Sequence, residues 1–188
     1  MKRYQTVSPI VVAAGFLLLP SPSAAQEDPI VRLSWLAPRD ISWEAVRPGR
    51  CRHLYLETSE PAHVAVFEWT PDDELILLQP FHPDEDVQFA GDSPQPVRTR
   101  PFGAYCWSAR SDRRFGPGLG YLIAVASTEP LDLYAGLDAL GVTSRWGAAN
   151  FSARGATLNA DHAIDRLLDA LGVDDTSAWV LGYAIERR

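Results

Sequence analysis

The clearest hydrophobic pattern in the chain is a run of apolar residues between Leu119 and Ala126. Apolar side chains occupy both alternating positions of this run. A strand that is apolar on both faces is typical of the middle of a sheet, where both faces are covered. We therefore expect a central strand here, and the rest of the fold should assemble around it.

Two helices are predicted after this strand, each from apolar residues that recur at helical spacing. The first should have Ser127 or Thr128 as its cap, Pro130 in its first turn and Gly141 at its end. Its stripe consists of Leu133, Leu137 and Leu140. The second should follow a cap at Asn159 and end at Gly172. Its stripe consists of Ile164, Leu167, Leu168 and Leu171. This second stripe should lie on the sheet.

The remaining apolar segments are short and typical of strands. The predicted strands are Pro29–Trp35, Arg52–Thr58, Ala62–Trp69, Glu74–Gln79, Gly103–Ala109 and Ala178–Ile185. A simple register through the turn at 58–62 would place Glu57 opposite His63. Residues 38–49 and 142–156 show no period and are interpreted as loops. The order of strands and helices predicts an α+β fold, a mostly antiparallel sheet or sandwich with one or two helices packed on one side near the C-terminus.

Residues 1–25 are typical of a cleaved signal peptide, with Lys2 and Arg3 before an apolar core and small residues at Ser23–Ala25. We expect one globular domain over residues 26–188, with a proline-rich excursion at 80–101. No later segment is long and apolar enough to span a membrane, and no cysteine follows the apolar core to carry a lipid. The formal charge of −7 argues against binding to nucleic acid or to an anionic membrane.

Cys51 and Cys106 are the two cysteines of the chain. In an exported protein such a pair favours a disulfide over a metal or redox site. The bridge would join two predicted strands. Two buried free thiols are the alternative interpretation.

Part of this pattern resembles a known bacterial family. Residues Ala62–Phe67, the turn at Asp72–Asp73, the segment Leu75–Pro80 and the corner Ala126–Leu131 are similar to motifs of the bacterial domain of unknown function 4384. The resemblance covers about residues 50–133. It implies an exported, envelope-associated domain and no established catalytic residues. The chain departs from the family at His63, where the family often has Tyr, and at Asp73, where it usually has Gly, which leaves the type of that turn open.

Residues that could carry chemistry are few. His82, Asp84, Glu85 and Asp86 offer ligands for a hard cation such as calcium, although a solvated acidic loop has the same composition. The four histidines lack metal-binding spacing, and no serine lies in a G-x-S-x-G elbow. We therefore predict no catalytic residues and no cofactor.

One cluster combines arginines with aromatic residues, which are both enriched in protein interfaces. Its members are Trp107, Arg110, Arg113, Arg114 and Phe115. It is a candidate surface for a protein partner, or a solvated loop whose arginines offset the acidic charge. From these features we expect a periplasmic or secreted, non-catalytic domain that binds or scaffolds another envelope or secreted component. A small extracytoplasmic hydrolase with a triad not visible in the sequence, or a cation- or ligand-binding domain using the acidic 82–86 loop, are the alternatives.

Overall fold

The computed structural model describes residues 29–34, 43–46, 49–99, 105–109, 118–141, 152–153 and 160–185. The signal peptide predicted at 1–25 lies outside them. The strands are β1 (Val31–Ser34), β2 (Trp43–Val46), β3 (Tyr55–Thr58), β4 (Ala62–Trp69), β5 (Leu75–Gln79), β6 (Gln88–Phe89), β7 (Gln95–Pro96), β8 (Leu119–Ser127), β9 (Ser152–Ala153) and β10 (Ala178–Ile185). The helices are α1 (Leu133–Ala139) and α2 (Ala160–Leu171), and a 3-10 turn spans Asp175–Ser177.

Strand β8 lies in the middle of the larger of two sheets, as its apolar pattern predicts. The larger sheet has the order β2-β10-β8-β4-β5-β9, and β6 pairs with the first residues of β4. All of its pairings are antiparallel except that of β2 with β10. Residues Leu122 to Ala126 are all buried, since both faces of β8 are covered.

The smaller sheet has the order β1-β3-β7 and is antiparallel. Strands β3 and β4 are adjacent in sequence but belong to different sheets, so the predicted cross-strand pair of Glu57 and His63 is wrong. Glu57 lies opposite Arg32 of β1, while His63 lies opposite Gln88 on one side and Ser127 on the other. The segment between β3 and β4 is therefore a crossing from one sheet to the other.

Two hydrophobic cores lie on opposite faces of the larger sheet. Alternation along β4 separates them: Val64 and Val66 face the smaller sheet, whereas Ala65 and Phe67 face the helices. The smaller sheet, the larger sheet and the helices therefore form three layers. The predicted α+β fold, mostly antiparallel with two helices packed on one side, is confirmed.

Helix α1 begins later than the sequence predicts. Strand β8 continues through Ser127, and the cap is Asp132, whose Oδ1 accepts a hydrogen bond from the Ala135 N–H at 3.0 Å. Neither Ser127 nor Thr128 caps the helix. Gly136 is tolerated because the helices are close there: a Cβ on it would lie 2.7 Å from Leu171 Cδ2.

The predicted apolar stripe of helix α2 packs on the same face of the sheet as α1. Its cap at Asn159 lies outside the described residues. Gly141 and Gly172, predicted as helix ends, both have positive φ, at +70° and +66°, a conformation that glycine adopts with little strain.

Several short elements differ from the sequence-based expectation, including β6 and β7 within the excursion predicted to be irregular. Strand β2 lies in the predicted connector 38–49, and β9 lies in the predicted loop 142–156. In the predicted strand Gly103–Ala109, the described residues form one isolated bridge, between Trp107 and Arg52. Each of these elements forms by pairing with a partner that is distant in sequence. A local pattern of four residues or fewer is therefore a weak predictor of such an element.

The predicted disulfide between Cys51 and Cys106 is present, with the two Cα atoms 5.2 Å apart. The next residues, Arg52 and Trp107, exchange two backbone hydrogen bonds of 2.7 and 2.8 Å. The bridge and these bonds hold the Trp107 segment against the start of the β3 region.

Trp107 is anchored between the sheets by a buried carboxylate. Its Nε1–H donates to Glu68 Oε2 at 3.2 Å, and the Tyr183 hydroxyl donates to Glu68 Oε1 at 2.7 Å. The rings of Trp107 and Tyr183 meet edge to face, with centroids 5.0 Å apart. All three side chains are at most 2% exposed, so this polar cluster links β4, β10 and the Trp107 segment inside the core.

None of the helices in the described part of the chain is long and apolar enough to cross a membrane.

Candidate binding cleft

The proline-rich excursion contributes a short strand to each sheet. Its strand β6 pairs with β4 of the larger sheet, and its strand β7 pairs with β3 of the smaller sheet. The excursion as far as residue 99 therefore spans the gap between the sheets at one side of the molecule.

A cleft of about 410 Å³ opens where these two strands diverge. It is lined by residues 79–81, 85–89, 95–96, 98 and 105. A volume of roughly 300–1,000 Å³ is usual for small-molecule sites. The end of β5, both strands of the excursion and the disulfide region thus meet around one cavity.

Arg98 and Tyr105 form one wall of the cleft. The Arg98 N–H donates to the side-chain oxygen of Gln79 at 2.6 Å, and Gln79 itself is buried. The Arg98 guanidinium lies over the Tyr105 ring, 6.0 Å from its centroid, within reach of a cation–π interaction. Tyr105 precedes the disulfide residue Cys106, and its carbonyl oxygen lies 2.6 Å from His53 Nδ1. The backbone of both residues is therefore held in place.

Gln88 and Asp86 also line the cleft, and both contact His63, which lies outside its lining. Asp86 Oδ1 lies 2.5 Å from His63 Nδ1, and Gln88 Nε2 donates to Asp86 Oδ2 at 3.4 Å. Since His63 is fixed in β4, these contacts position Asp86 and Gln88 relative to the sheet.

A smaller cavity of about 160 Å³ lies on the other side of the 83–87 segment. It is lined by His63, by that segment and by the chain before α1, including Leu131. The pKa of Tyr134 is raised above its usual value. Partial burial is the largest cause, and the hydrogen bond with Asp84 and the charge of the Asp84 carboxylate add to it. The 83–87 segment is thus in contact with α1 as well as with β4.

The acidic residues of the excursion are engaged separately rather than around one point. The Glu85 carboxylate accepts the Phe81 N–H at 3.0 Å, and Asp84 Oδ2 lies 3.0 Å from His82 Nδ1. Asp86 contacts His63 instead. Among the described residues, no three potential ligands are grouped as a metal ion would require, so the alternative of a cation site gains no support here.

The candidate partner surface is only partly within the described residues. Arg110, Arg113, Arg114 and Phe115 lie outside them. Trp107, which we expected beside these arginines, is 2% exposed and points into the core toward Glu68. Its indole is therefore an internal anchor and is not available to a partner.

His63 and Asp86 have the arrangement of a base and its orienting carboxylate. The serine opposite His63 across the sheet is Ser127. The Ser127 hydroxyl accepts the Glu129 N–H at 3.1 Å, and the structure shows no hydrogen bond between this hydroxyl and His63. The described residues therefore contain a His–Asp pair, and Ser127 is not hydrogen-bonded to it.

Three cleft residues, Gln88, Arg98 and Tyr105, were not singled out from the sequence. They belong to three different segments and converge only because β6 and β7 enter different sheets. The one available signal was the long irregular excursion itself, because such segments are often functional.

Comparison with models of known protein families finds none that matches the chain, and comparison with curated proteins finds no match either. The resemblance to the bacterial domain of unknown function 4384 stays a prediction.

Proposed function

We propose that this chain is an exported, non-catalytic domain that binds or scaffolds another component of the cell envelope or a secreted component, with the cleft as its binding site. The observation that carries the proposal is the cleft of about 410 Å³. Its polar side chains are held by β6, β7 and the disulfide region. Sites with such pre-positioned groups lose less entropy on binding.

The disulfide supports the exported location, because disulfides persist in oxidising compartments such as the periplasm and the extracellular space. The predicted signal peptide favours the same location. A periplasmic or secreted protein without a lipid anchor is therefore part of this proposal.

A protein partner is the second part of the proposal, and it rests on the composition of the Arg110–Arg114 loop. In this proposal the arginines hold a protein and the cleft holds a smaller ligand, which is how a scaffold joins two components.

Affinity capture from the host's envelope fraction tests the proposal. The tagged chain, purified after export, is compared with Tyr105→Ala in the cleft, with a triple Arg110, Arg113 and Arg114 to Ala variant, and with Trp179→Ala as a control. Trp179 is a partly exposed aromatic residue on β10, away from the cleft. We expect a stoichiometric component that the Tyr105 variant or the triple variant loses and the Trp179 variant retains. Capture that no variant changes would contradict the proposal.

A small hydrolase is the second candidate, because His63 and Asp86 are placed as a general base and its orienting group. Hydrolysis of p-nitrophenyl acetate by the wild-type chain, lost in both His63→Ala and Ser127→Ala, would support it. Equal background rates in all three proteins would exclude this chemistry for these residues.

A further inference from the structure

We propose that the cleft binds a neutral saccharide. This inference rests on the proposed function, since it names the class of ligand for the same site. A saccharide presents two kinds of surface, the C–H groups of its ring faces and the hydroxyls around its edge. The cleft has a complement to each.

The aromatic side of the cleft would receive the sugar's ring face. Tyr105 is 43% exposed although it lies next to a disulfide, and Phe81, which also lines the cleft, is half-buried. Aromatic residues combine a large apolar surface with little conformational entropy to lose. The Arg98 guanidinium lies over one face of the Tyr105 ring, so the other face is the platform on which an apolar ligand face would stack.

The polar groups of the cleft suit vicinal hydroxyls. Gln88 and Gln95 line the cleft with planar amides, and Arg98, beside Tyr105, lines it with a planar guanidinium. Amides offer both donors and acceptors, and a guanidinium offers several donors in fixed directions. A hydroxyl both donates and accepts hydrogen bonds, so neighbouring hydroxyls can pair with such groups. A hydroxyl is neutral and therefore brings no further charge into the cleft.

The charges of the lining disfavour other ligand classes. An anion would meet one guanidinium, of Arg98, and two carboxylates, of Glu85 and Asp86. A cationic ligand would compete with contacts that these carboxylates already make, to the Phe81 N–H and to His63. A purely apolar ligand would bury the amides and charges without hydrogen bonds, which is costly. A neutral, polyhydroxylated ligand avoids all three costs.

The experiment is a titration of the ¹⁵N-labelled chain, purified after export, followed by amide chemical shifts. The neutral probes are maltose, cellobiose and diacetylchitobiose. Glucuronic acid serves as the anionic probe and the peptide acetyl-Lys-Val-Lys-Val-amide as the cationic one. We expect saturable shifts for at least one neutral probe, centred on the amides of Gln88, Gln95, Arg98 and Tyr105, with weaker or no response to the charged probes.

Variants then locate the contact. Tyr105→Ala should weaken saccharide binding about ten-fold, equivalent to roughly 1.4 kcal/mol, whereas Tyr105→Phe, which keeps the ring, should stay within about three-fold, or roughly 0.65 kcal/mol. Trp179→Ala should bind as the wild type does. Equal binding by Tyr105→Ala and wild type, or shifts centred elsewhere, would overturn the inference.

The outcomes separate this inference from the proposed function. If no neutral probe binds, or if the peptide binds instead, the saccharide assignment is wrong. Tyr105-dependent capture from the envelope fraction would then still support a binding cleft. If capture also depends neither on Tyr105 nor on the three arginines, both proposals fail.

Discussion

Among single residues, Glu68 is the buried carboxylate that joins two sheet strands to the Trp107 segment. Two donors, from Trp107 and Tyr183, converge on it from different segments. Burying a charged group is costly unless its hydrogen bonds are made. The cluster therefore stabilises one particular arrangement of the two sheets and penalises others.

Tyr183→Phe tests this cluster by removing one donor while keeping the ring. We expect a loss of about 2 kcal/mol in the free energy of unfolding, because the carboxylate stays buried with one hydrogen bond fewer. Urea denaturation measures it. Tyr55→Phe, at a half-buried position on β3, is the control and should change stability by less than about 0.5 kcal/mol. Equal effects of the two substitutions would contradict the role of the cluster.

Asp174 provides a prediction that depends on pH. Its carboxylate accepts hydrogen bonds from the Thr176 hydroxyl and from the N–H groups of Thr176 and Ser177. The Thr176 side chain, above all, lowers the pKa of Asp174 below its ordinary value of 3.8. A lowered pKa in the folded state means that this stabilisation is complete above the unfolded pKa and is lost as the pH falls through the folded one.

Asp174→Ala should therefore cost about 1 kcal/mol at pH 7, as the loss of a capping residue usually does. The difference from wild type should shrink as the pH falls below 3.8. Urea denaturation of both proteins between pH 7 and pH 2.5 measures it. A difference that is constant over this range would show that the carboxylate's charge is not involved.

At the scale of elements, the close contact between β8 and β10 depends on a glycine. Gly120 lies opposite Tyr183, and a Cβ there would come within 2.2 Å of the Tyr183 ring. The ring cannot move aside easily, since its hydroxyl is bonded to Glu68 and its edge packs on Trp107.

Gly120→Ala should thus destabilise the protein by about 1–3 kcal/mol, the usual cost of overpacking a core. The same substitution made in a Tyr183→Leu background should cost less, because the clashing ring is gone. Thermal and urea unfolding of the four proteins in this cycle measure the coupling. If Gly120→Ala lowers stability by the same amount in the Tyr183→Leu background, the clash with the Tyr183 ring is not the cause.

Local pattern predicts the long strands of this fold better than the short ones. Strands β4 and β10 have the predicted bounds, because eight consecutive residues with strong apolar character specify a strand without help from distant partners. Strands β2 and β9 were missed, since they exist only through pairing with β10 and β5. The sequence does not determine the type of the turn at Asp73. The φ of Asp73 is +55°, the left-handed conformation that glycine would also supply there.

At the scale of the whole molecule, the disulfide joins segments that are 55 residues apart in sequence. Such a crosslink restricts the unfolded chain, and here it also holds the Trp107 segment and the Tyr105 wall of the cleft. The pairing could be predicted from the number of cysteines together with the predicted signal peptide, whereas the cleft could not. The residues that line the cleft come together because the chain crosses from one sheet to the other between β3 and β4. At that point the local pattern predicted a hairpin instead.

Replacing both Cys51 and Cys106 by Ser should lower the free energy of unfolding by about 2–5 kcal/mol. It should also weaken binding at the cleft, because Tyr105 loses its fixed neighbour. Urea denaturation and the saccharide titration measure the two effects. A fully stable variant with unchanged unfolding would contradict the structural role of the bridge.

The cleft between β6 and β7 is the site that we propose for binding an envelope component. Hydrogen–deuterium exchange of the exported chain, alone and with the host's envelope fraction, tests this proposal. We expect protection to concentrate on residues 79–89, 95–98 and 105, and we expect Tyr105→Ala to remove it while Trp179→Ala does not. Protection confined to other segments, or the same protection in the Tyr105 variant, would contradict the proposal.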